Sequence, residues 1–186
     1  MQSSSQGNIF IVTGPSGVGK GTICQHLLAT APNLFLSVSA TSRQARPGEV
    51  EGVHYFFKTP DEFRQIVDQH GFLEWAQYNG SYYGTPRAAV EERLSRGQNV
   101  LLEIEVQGAL MVKERFDRAC LIFVEPPSVA TLTERLRGRG KDTDEAIANR
   151  IAIAEGELAL KHRFDYVVLN DDLPTCLARI TEIIRR

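Results

Sequence analysis

The strongest chemical signal in this chain is a run of nine residues, Gly14, Pro15, Ser16, Gly17, Val18, Gly19, Lys20, Gly21 and Thr22. Glycines at this density let the backbone bend so that successive N–H groups face one anion. A helix beginning at Lys20 adds partial positive charge at the same point. Lys20 itself brings a full, mobile charge suited to the β- and γ-phosphates of a nucleotide. The run follows an apolar strand pattern, Asn8–Thr13, and precedes a helical pattern from about Lys20 to Ala31, which is the setting a phosphate loop requires. The bland alternative, a glycine-rich turn that binds nothing, explains neither the lysine nor the setting. Such loops usually carry Ser or Thr directly after the lysine as a magnesium ligand. This chain has Gly21 there, so Thr22 is the available hydroxyl.

A second group lies just past a predicted strand. Arg43 and Arg46 stand three residues apart in Ser39-Ala40-Thr41-Ser42-Arg43-Gln44-Ala45-Arg46-Pro47-Gly48-Glu49. Two guanidinium forks so placed suit one phosphate gripped bidentately. Tyr55 and Tyr83 offer phenol donors to the same kind of oxygen. Each feature also has a plainer reading: an arginine pair on a solvated surface, and Tyr55-Phe56-Phe57 as core.

The elements that must position these residues alternate along the chain. Asn8–Thr13, Phe35–Ala40, Asn99–Glu105, Ala119–Val124 and Tyr166–Leu169 read as strands buried on both faces, with helices between them. That alternation predicts an α/β fold with a parallel sheet covered by helices. Thr59-Pro60-Asp61-Glu62 signals a capped helix start, with proline at the first helical position and Glu three residues after the cap. Thr85-Pro86 predicts another helix start, closed by Gly97. Ser128 is placed to cap Val129–Arg137. A longer helix is expected over about Asp144–Lys161, and a last one from about Pro174. The segment from Thr41 to Tyr83 breaks the rhythm and reads as an insertion carried on the sheet. Arg137-Gly138-Arg139-Gly140-Lys141 is a smaller, basic, glycine-rich interruption. One domain over residues 1–186 is expected, with a core of 8–40, 84–134 and 163–186, an insertion of about 41–83 and a lid of about 135–150.

Composition narrows the function classes. With 21 basic and 23 acidic residues, the net charge of −2 gives no general reason to expect nucleic acid or an anionic membrane as partner. Cys24, Cys120 and Cys176 are scattered, which predicts reduced, buried thiols rather than a disulfide or zinc framework. The first residues carry no basic, apolar leader pattern, and no apolar run approaches a membrane span, so a soluble cytoplasmic protein is expected. No Asn-Lys-x-Asp guanine motif of a GTPase is found; Asn170-Asp171-Asp172 lacks the lysine. A small kinase is the class that remains.

From Phe10 onward the sequence closely resembles the guanylate kinases. The resemblance is carried by Gly14–Thr22, Ser37–Glu49, Phe72-Leu73-Glu74-Trp75-Ala76, Tyr82-Tyr83-Gly84-Thr85, Val106-Gln107-Gly108, Arg135–Gly140, Asn149-Arg150 and Asn170-Asp171-Asp172, in order and at family-like spacing. It implies a P-loop NTPase-like sheet with an inserted GMP-binding segment and a small lid. It also implies phosphoryl transfer from ATP, with Mg2+, to GMP, giving ADP and GDP.

Carried over residue by residue, the resemblance assigns Arg43, Arg46, Tyr55 and Tyr83 to the GMP phosphate. Ser39, Glu74, Thr85 and Glu103 would surround the guanine. Guanine presents N1–H and its 2-amino group side by side, and a carboxylate such as Glu74 accepts from both. Adenine lacks that donor pair. Lys20, Arg43, Arg139 and Arg150 would neutralise charge during transfer, and Asn170 would lie near the adenine of ATP. Thr22 and Glu105 are the candidate magnesium contacts, through water. Both insertions are expected to close on their substrates.

Two departures from the family pattern stand out. Glu103 and Glu105 occupy places where the family more often has Asp, and Gly21 takes the usual hydroxyl position. Two rival readings remain open: a protein-binding module of guanylate-kinase-like fold, and a kinase for another nucleoside monophosphate. Lys20 and the lid arginines argue against the first, and the setting of Glu74 and Thr85 argues against the second.

Overall fold

The computed structural model describes residues 6–78, 80–138 and 143–185. Strand β1 (Ile9–Thr13) leads into helix α1 (Lys20–Thr30), followed by β2 (Leu34–Leu36) and β3 (Ala40–Thr41). Next come β4 (Phe56–Phe57), α2 (Pro60–Asp68), β5 (Phe72–Tyr78) and β6 (Ser81–Pro86). Helix α3 (Arg87–Ser95), β7 (Asn99–Glu103), α4 (Val106–Arg115) and β8 (Cys120–Glu125) follow. The chain then runs through α5 (Val129–Gly138), α6 (Asp144–Ala159), a 3-10 turn at Lys161–Arg163, β9 (Tyr166–Leu169) and α7 (Leu173–Ile184).

The expected α/β architecture is present. Five parallel strands run in the order β2-β7-β1-β8-β9. Parallel neighbours need long crossovers, which the helices supply. Strands covered on both faces read as unbroken apolar runs; Leu121, Ile122, Phe123 and Val124 in β8 are fully buried. A second sheet, β4-β3-β6-β5, is built largely by the predicted insertion and extends through Pro86.

The described chain divides into two compact units. One comprises the start of the chain through Ile9 together with Asn33–Leu102 and Gln107–Ala119. Its smaller sheet packs Ala40 and Phe72 against Phe63 of α2, with Phe56, Ile66, Val67 and Tyr82 around them. Phe63 stacks on Phe72 at 4.5 Å and on Tyr82 at 5.5 Å between ring centroids. Each such ring contributes about 1.5–3 kcal/mol by leaving water. Helix α2 begins as expected: Thr59 accepts from the Glu62 backbone while Glu62 accepts from the Thr59 backbone, a reciprocal cap.

The other unit comprises Phe10–Pro32, Glu103–Val106 and the chain from Cys120 onward. There α5 and α6 pack through Leu132, Leu136, Ile147 and Ala154. Ser128 caps α5 as expected, accepting from the Thr131 backbone at 3.0 Å.

Four expectations are corrected. The strand expected over Phe35–Ala40 is two strands in two sheets. Ser37 N–H donates to Leu101 at 3.0 Å as the last rung against β7, and Ala40 and Thr41 then pair with β6. The strand expected to reach Glu105 ends at Glu103, because the chain turns into α4 at Val106. Strand alternation therefore does not set the direction of Glu105. Thr85 does not open α3: it belongs to β6, Pro86 takes the cap position without a side-chain bond, and the Thr85 hydroxyl is used elsewhere. Helix α6 stops at Ala159, with a 3-10 turn after it, rather than at Lys161.

Candidate active site

The phosphate loop joins β1 to α1 within one unit. Gly14, Gly17 and Gly19 have φ of 142°, 91° and 103°, values that L side chains rarely adopt. At Gly14 a Cβ would also lie 2.3 Å from the Val124 carbonyl oxygen, so no side chain fits there. Lys20 folds its ammonium back onto the loop, donating to the carbonyls of Gly14 and Pro15. Arg150 of α6 donates to the Ser16 hydroxyl at 3.2 Å. Asn170, 5% exposed, donates its side-chain amide to the Val18 carbonyl at 2.8 Å, and Arg135 donates to the Asn170 carbonyl at 3.2 Å. Asn170 thus braces the loop from behind. Arg135, from the last turns of α5, braces Asn170.

Carboxylates gather beside Lys20. Burial pushes the Glu103 carboxyl above its ordinary value, Lys20 and a hydrogen bond with Cys24 oppose that shift, and Glu105 adds to it. Glu157 of α6 is pushed up first by burial and then by the charge of Glu105, to which it is hydrogen-bonded, while Lys20 pulls it down. Burial also pushes the Cys24 thiol up, which removes it as a nucleophile. Among the described residues no three His, Cys, Asp or Glu side chains form a metal cage. Magnesium does not require one: it keeps several waters and is held by one or two carboxylates together with substrate phosphates. Hard oxygen donors at Glu103 and Glu105 beside a phosphate loop fit that mode, with Thr22 exposed on the first turn of α1.

The second group is held by the smaller sheet of the other unit. Thr41 ends β3 fully buried; its hydroxyl donates to Tyr82 at 3.0 Å and accepts the Arg43 backbone N–H at 3.2 Å, which fixes where Arg43 leaves the sheet. Both terminal nitrogens of Arg43 donate to Glu49, each at 2.9 Å, and the Arg46 backbone N–H donates to the same carboxylate at 2.7 Å. The Arg43 guanidinium also lies 5.4 Å from the Tyr55 ring centre and is hydrogen-bonded to Tyr83. Tyr55 and Tyr83 meet edge to face at 6.0 Å. Ser39 accepts the Phe56 N–H at 2.9 Å, joining β4 to this group through its backbone.

Glu74 and Thr85 face each other across β5 and β6, with the Thr85 hydroxyl 2.6 Å from Glu74 Oε1. Glu74 is 4% exposed and Thr85 fully buried. On β6, Tyr83 and Thr85 are two residues apart and so share a face. Trp75, the next residue after Glu74, is 38% exposed and packs edge-on against Tyr82 at 6.0 Å.

The structure thus gathers the sequence-predicted residues into two groups, each within one unit. Lys20, Glu103, Glu105, Arg150 and Asn170 surround the phosphate loop in one. Arg43, Tyr55, Glu74, Tyr83 and Thr85, with the Ser39 and Arg46 backbones, line the smaller sheet in the other. Arg139 lies outside the described residues. Sequence reasoning missed Glu49 and Glu157. Glu49 ends the quoted Arg-Pro-Gly-Glu stretch, and its place three residues after Arg46 is the signal that could have found it. Glu157 carries no local motif.

Comparison with known proteins agrees with the geometry. The family profile described as "Guanylate kinase" matches residues 6–186. The chain is 52% identical over 183 residues to the guanylate kinase of Synechocystis sp., covering 98% of this chain and 96% of that one. It is 46% identical over 180 residues to the guanylate kinase of Desulfitobacterium hafniense, covering 97% and 90%. Among solved structures, guanylate kinase from Anaplasma phagocytophilum superposes with a TM-score of 0.81 at 32% identity, covering 97% of this chain and 86% of that one.

Proposed function

The chain belongs to the guanylate kinase family, and from that premise we propose how its residues carry out the reaction. It is a nucleoside monophosphate kinase that transfers the γ-phosphoryl group of ATP to GMP, giving ADP and GDP. Transfer of this kind asks for alignment and neutralisation of charge rather than a covalent intermediate.

The phosphate loop amides, with Lys20, hold the β- and γ-phosphates of ATP. To reach them the ammonium leaves the Gly14 and Pro15 carbonyls, which keep it close by until then. Arg150, already against Ser16, stabilises charge on the transferring group, and Arg139 serves the same end. Asn170 holds the loop in shape and lies near the adenine. Glu103, Glu105 and the Thr22 hydroxyl would hold a magnesium ion bound with ATP, which would supply electrostatic neutralisation of the phosphates.

Arg43, Arg46, Tyr55 and Tyr83 hold the GMP phosphate. Glu74 accepts from N1–H and the 2-amino group of guanine, the Ser39 hydroxyl donates to O6, and the Thr85 hydroxyl, donating to Glu74 Oε1, orients that carboxylate; Glu103 is the remaining candidate contact to the base. The observation that carries the choice of GMP is the buried Glu74–Thr85 pair at 2.6 Å. A carboxylate so enclosed needs donors, which guanine supplies and adenine does not. A base that sets an acceptor against its remaining lone pairs costs about 1–3 kcal/mol or more.

The test is ADP release from ATP and magnesium with GMP, AMP, CMP and UMP in parallel. The expected result is strong preference for GMP. Preference for another monophosphate would overturn the roles given to Glu74 and Thr85 while leaving those of the phosphate loop.

A further inference from the structure

Strand β5 changes face immediately before Glu74. Phe72 pairs with Pro86, yet Glu74 pairs with Thr85, so one extra residue, Leu73, is inserted against a single step of β6. Side chains alternate along a strand, so Phe72 and Glu74 would otherwise point to the same side. Here they do not. Phe72 stacks on Phe63 in the aromatic core, the side shared by Tyr82, whereas Glu74 faces Thr85. A bulge of one residue re-aims everything beyond it, and without this one Glu74 would be driven into a cluster of phenyl rings.

The bulge is held from outside the sheet by two arginines. Arg87, the first residue of α3, takes three consecutive carbonyls. Its backbone N–H donates to Gly71 at 2.9 Å, its Nε to His70 at 3.0 Å and its Nη2 to Phe72 at 3.1 Å. Arg115, the last residue of α4, donates Nη1 to the Leu73 carbonyl. Four successive carbonyls, 70 to 73, are thus gripped directly ahead of Glu74. The turn that feeds them includes His70 at φ 53°, the only non-glycine residue in the left-handed region among those described. Backbone in that region costs free energy unless its surroundings hold it.

We propose that Arg87 and Arg115 are positioning residues for base selection: they lock the Leu73 bulge and thereby decide which face of the sheet Glu74 serves. This rests on the reading of Glu74 given above. Neither arginine needs to touch substrate. Their effect belongs to GMP binding and to discrimination between bases, and leaves the ATP side alone.

The experiment compares R87M, R115M and R115K with the unaltered enzyme and with E74Q, measuring kcat, KM for GMP, KM for ATP and the kcat/KM ratio for GMP over AMP. For R87M and R115M, KM for GMP should rise about tenfold and the GMP:AMP ratio fall by a similar factor, the scale of a misplaced or lost charge-assisted bond. KM for ATP should stay within about twofold, and R115K, which keeps a donor for Leu73, should recover much of the loss. Unchanged KM for GMP and unchanged selectivity in R87M and R115M would overturn the proposal, as would a parallel rise in both KM values. Should R115M fail to fold, R87M decides by the same criteria. E74Q separates the two levels: if E74Q leaves GMP binding untouched, the reading of Glu74 falls; if E74Q weakens it and the arginine variants do not, only the present inference falls.

Discussion

Arg43 and Glu49 meet fork to fork: two guanidinium nitrogens donate to two carboxylate oxygens, each at 2.9 Å. The same carboxylate accepts the Arg46 backbone N–H, and the Glu49 N–H returns a bond to the Arg46 carbonyl at 3.0 Å. One acidic side chain therefore shapes the loop that carries both arginines assigned to the GMP phosphate. We expect E49Q to raise KM for GMP about tenfold, equivalent to about 1.4 kcal/mol, with KM for ATP unaltered. Steady-state kinetics with each substrate varied in turn checks this; an unaltered KM for GMP would show that the loop keeps its shape without the ion pair.

Glu49 also has a pH signature. Its hydrogen bonds with Arg43 hold its carboxyl below the ordinary value, against the opposing effect of burial. The stability it contributes is therefore fully present above the unfolded carboxylate range of about 4.3. It is lost as pH falls through the lower, folded value. Melting temperature measured between neutral and acidic pH should fall less steeply in E49Q than in the unaltered protein.

Glu157 has the opposite sign. Its folded pKa is raised, so its contribution to stability is full below the unfolded value and disappears as pH rises through the folded one. E157Q should therefore gain in melting temperature relative to the unaltered protein at alkaline pH, with little difference near pH 4. Equal pH profiles for the two proteins would remove Glu157 from the carboxylate group around Lys20.

Lys20 donates to two carbonyls of its own loop, those of Gly14 and Pro15. K20A should lower kcat by about 10²–10³-fold, the scale of removing one preorganised electrostatic group, while circular dichroism and melting temperature change little. A variant retaining full turnover would sink the assignment of this loop.

Asn170 has a directional role. Its amide donates to the Val18 carbonyl in a buried setting, so N170D sets an acceptor against an acceptor. The cost of about 1–3 kcal/mol should appear as a lower melting temperature and about a tenfold higher KM for ATP, with KM for GMP unchanged. Isothermal titration with a non-hydrolysable ATP analogue measures it directly.

The phosphate loop, the reciprocal cap at Thr59 and the parallel strands were legible because each is dictated by residues adjacent in the chain. Contacts that depend on distant partners were not. Phe72-Leu73-Glu74 reads as an ordinary strand, and nothing in those letters announces that Leu73 is the extra residue; that depends on where β6 pairs. Thr85 looks like a helix cap because a hydroxyl before a proline often is one, but Glu74, eleven residues earlier, takes the hydroxyl first. Phe35–Ala40 is apolar enough for one strand, and only the competing ladders of β7 and β6 divide it. Glu157 reaches Glu105 from a helix whose sequence shows only ordinary polar spacing.

The single tryptophan of the chain follows Glu74 directly, partly open to water and edge-on to Tyr82. All indole fluorescence from this protein consequently originates on β5, beside the side chain assigned to the base. The molecule carries an intrinsic optical probe of that one strand, and its emission wavelength follows the polarity on the aromatic face of the sheet, opposite Glu74, without a dye, a tag or a coupled assay.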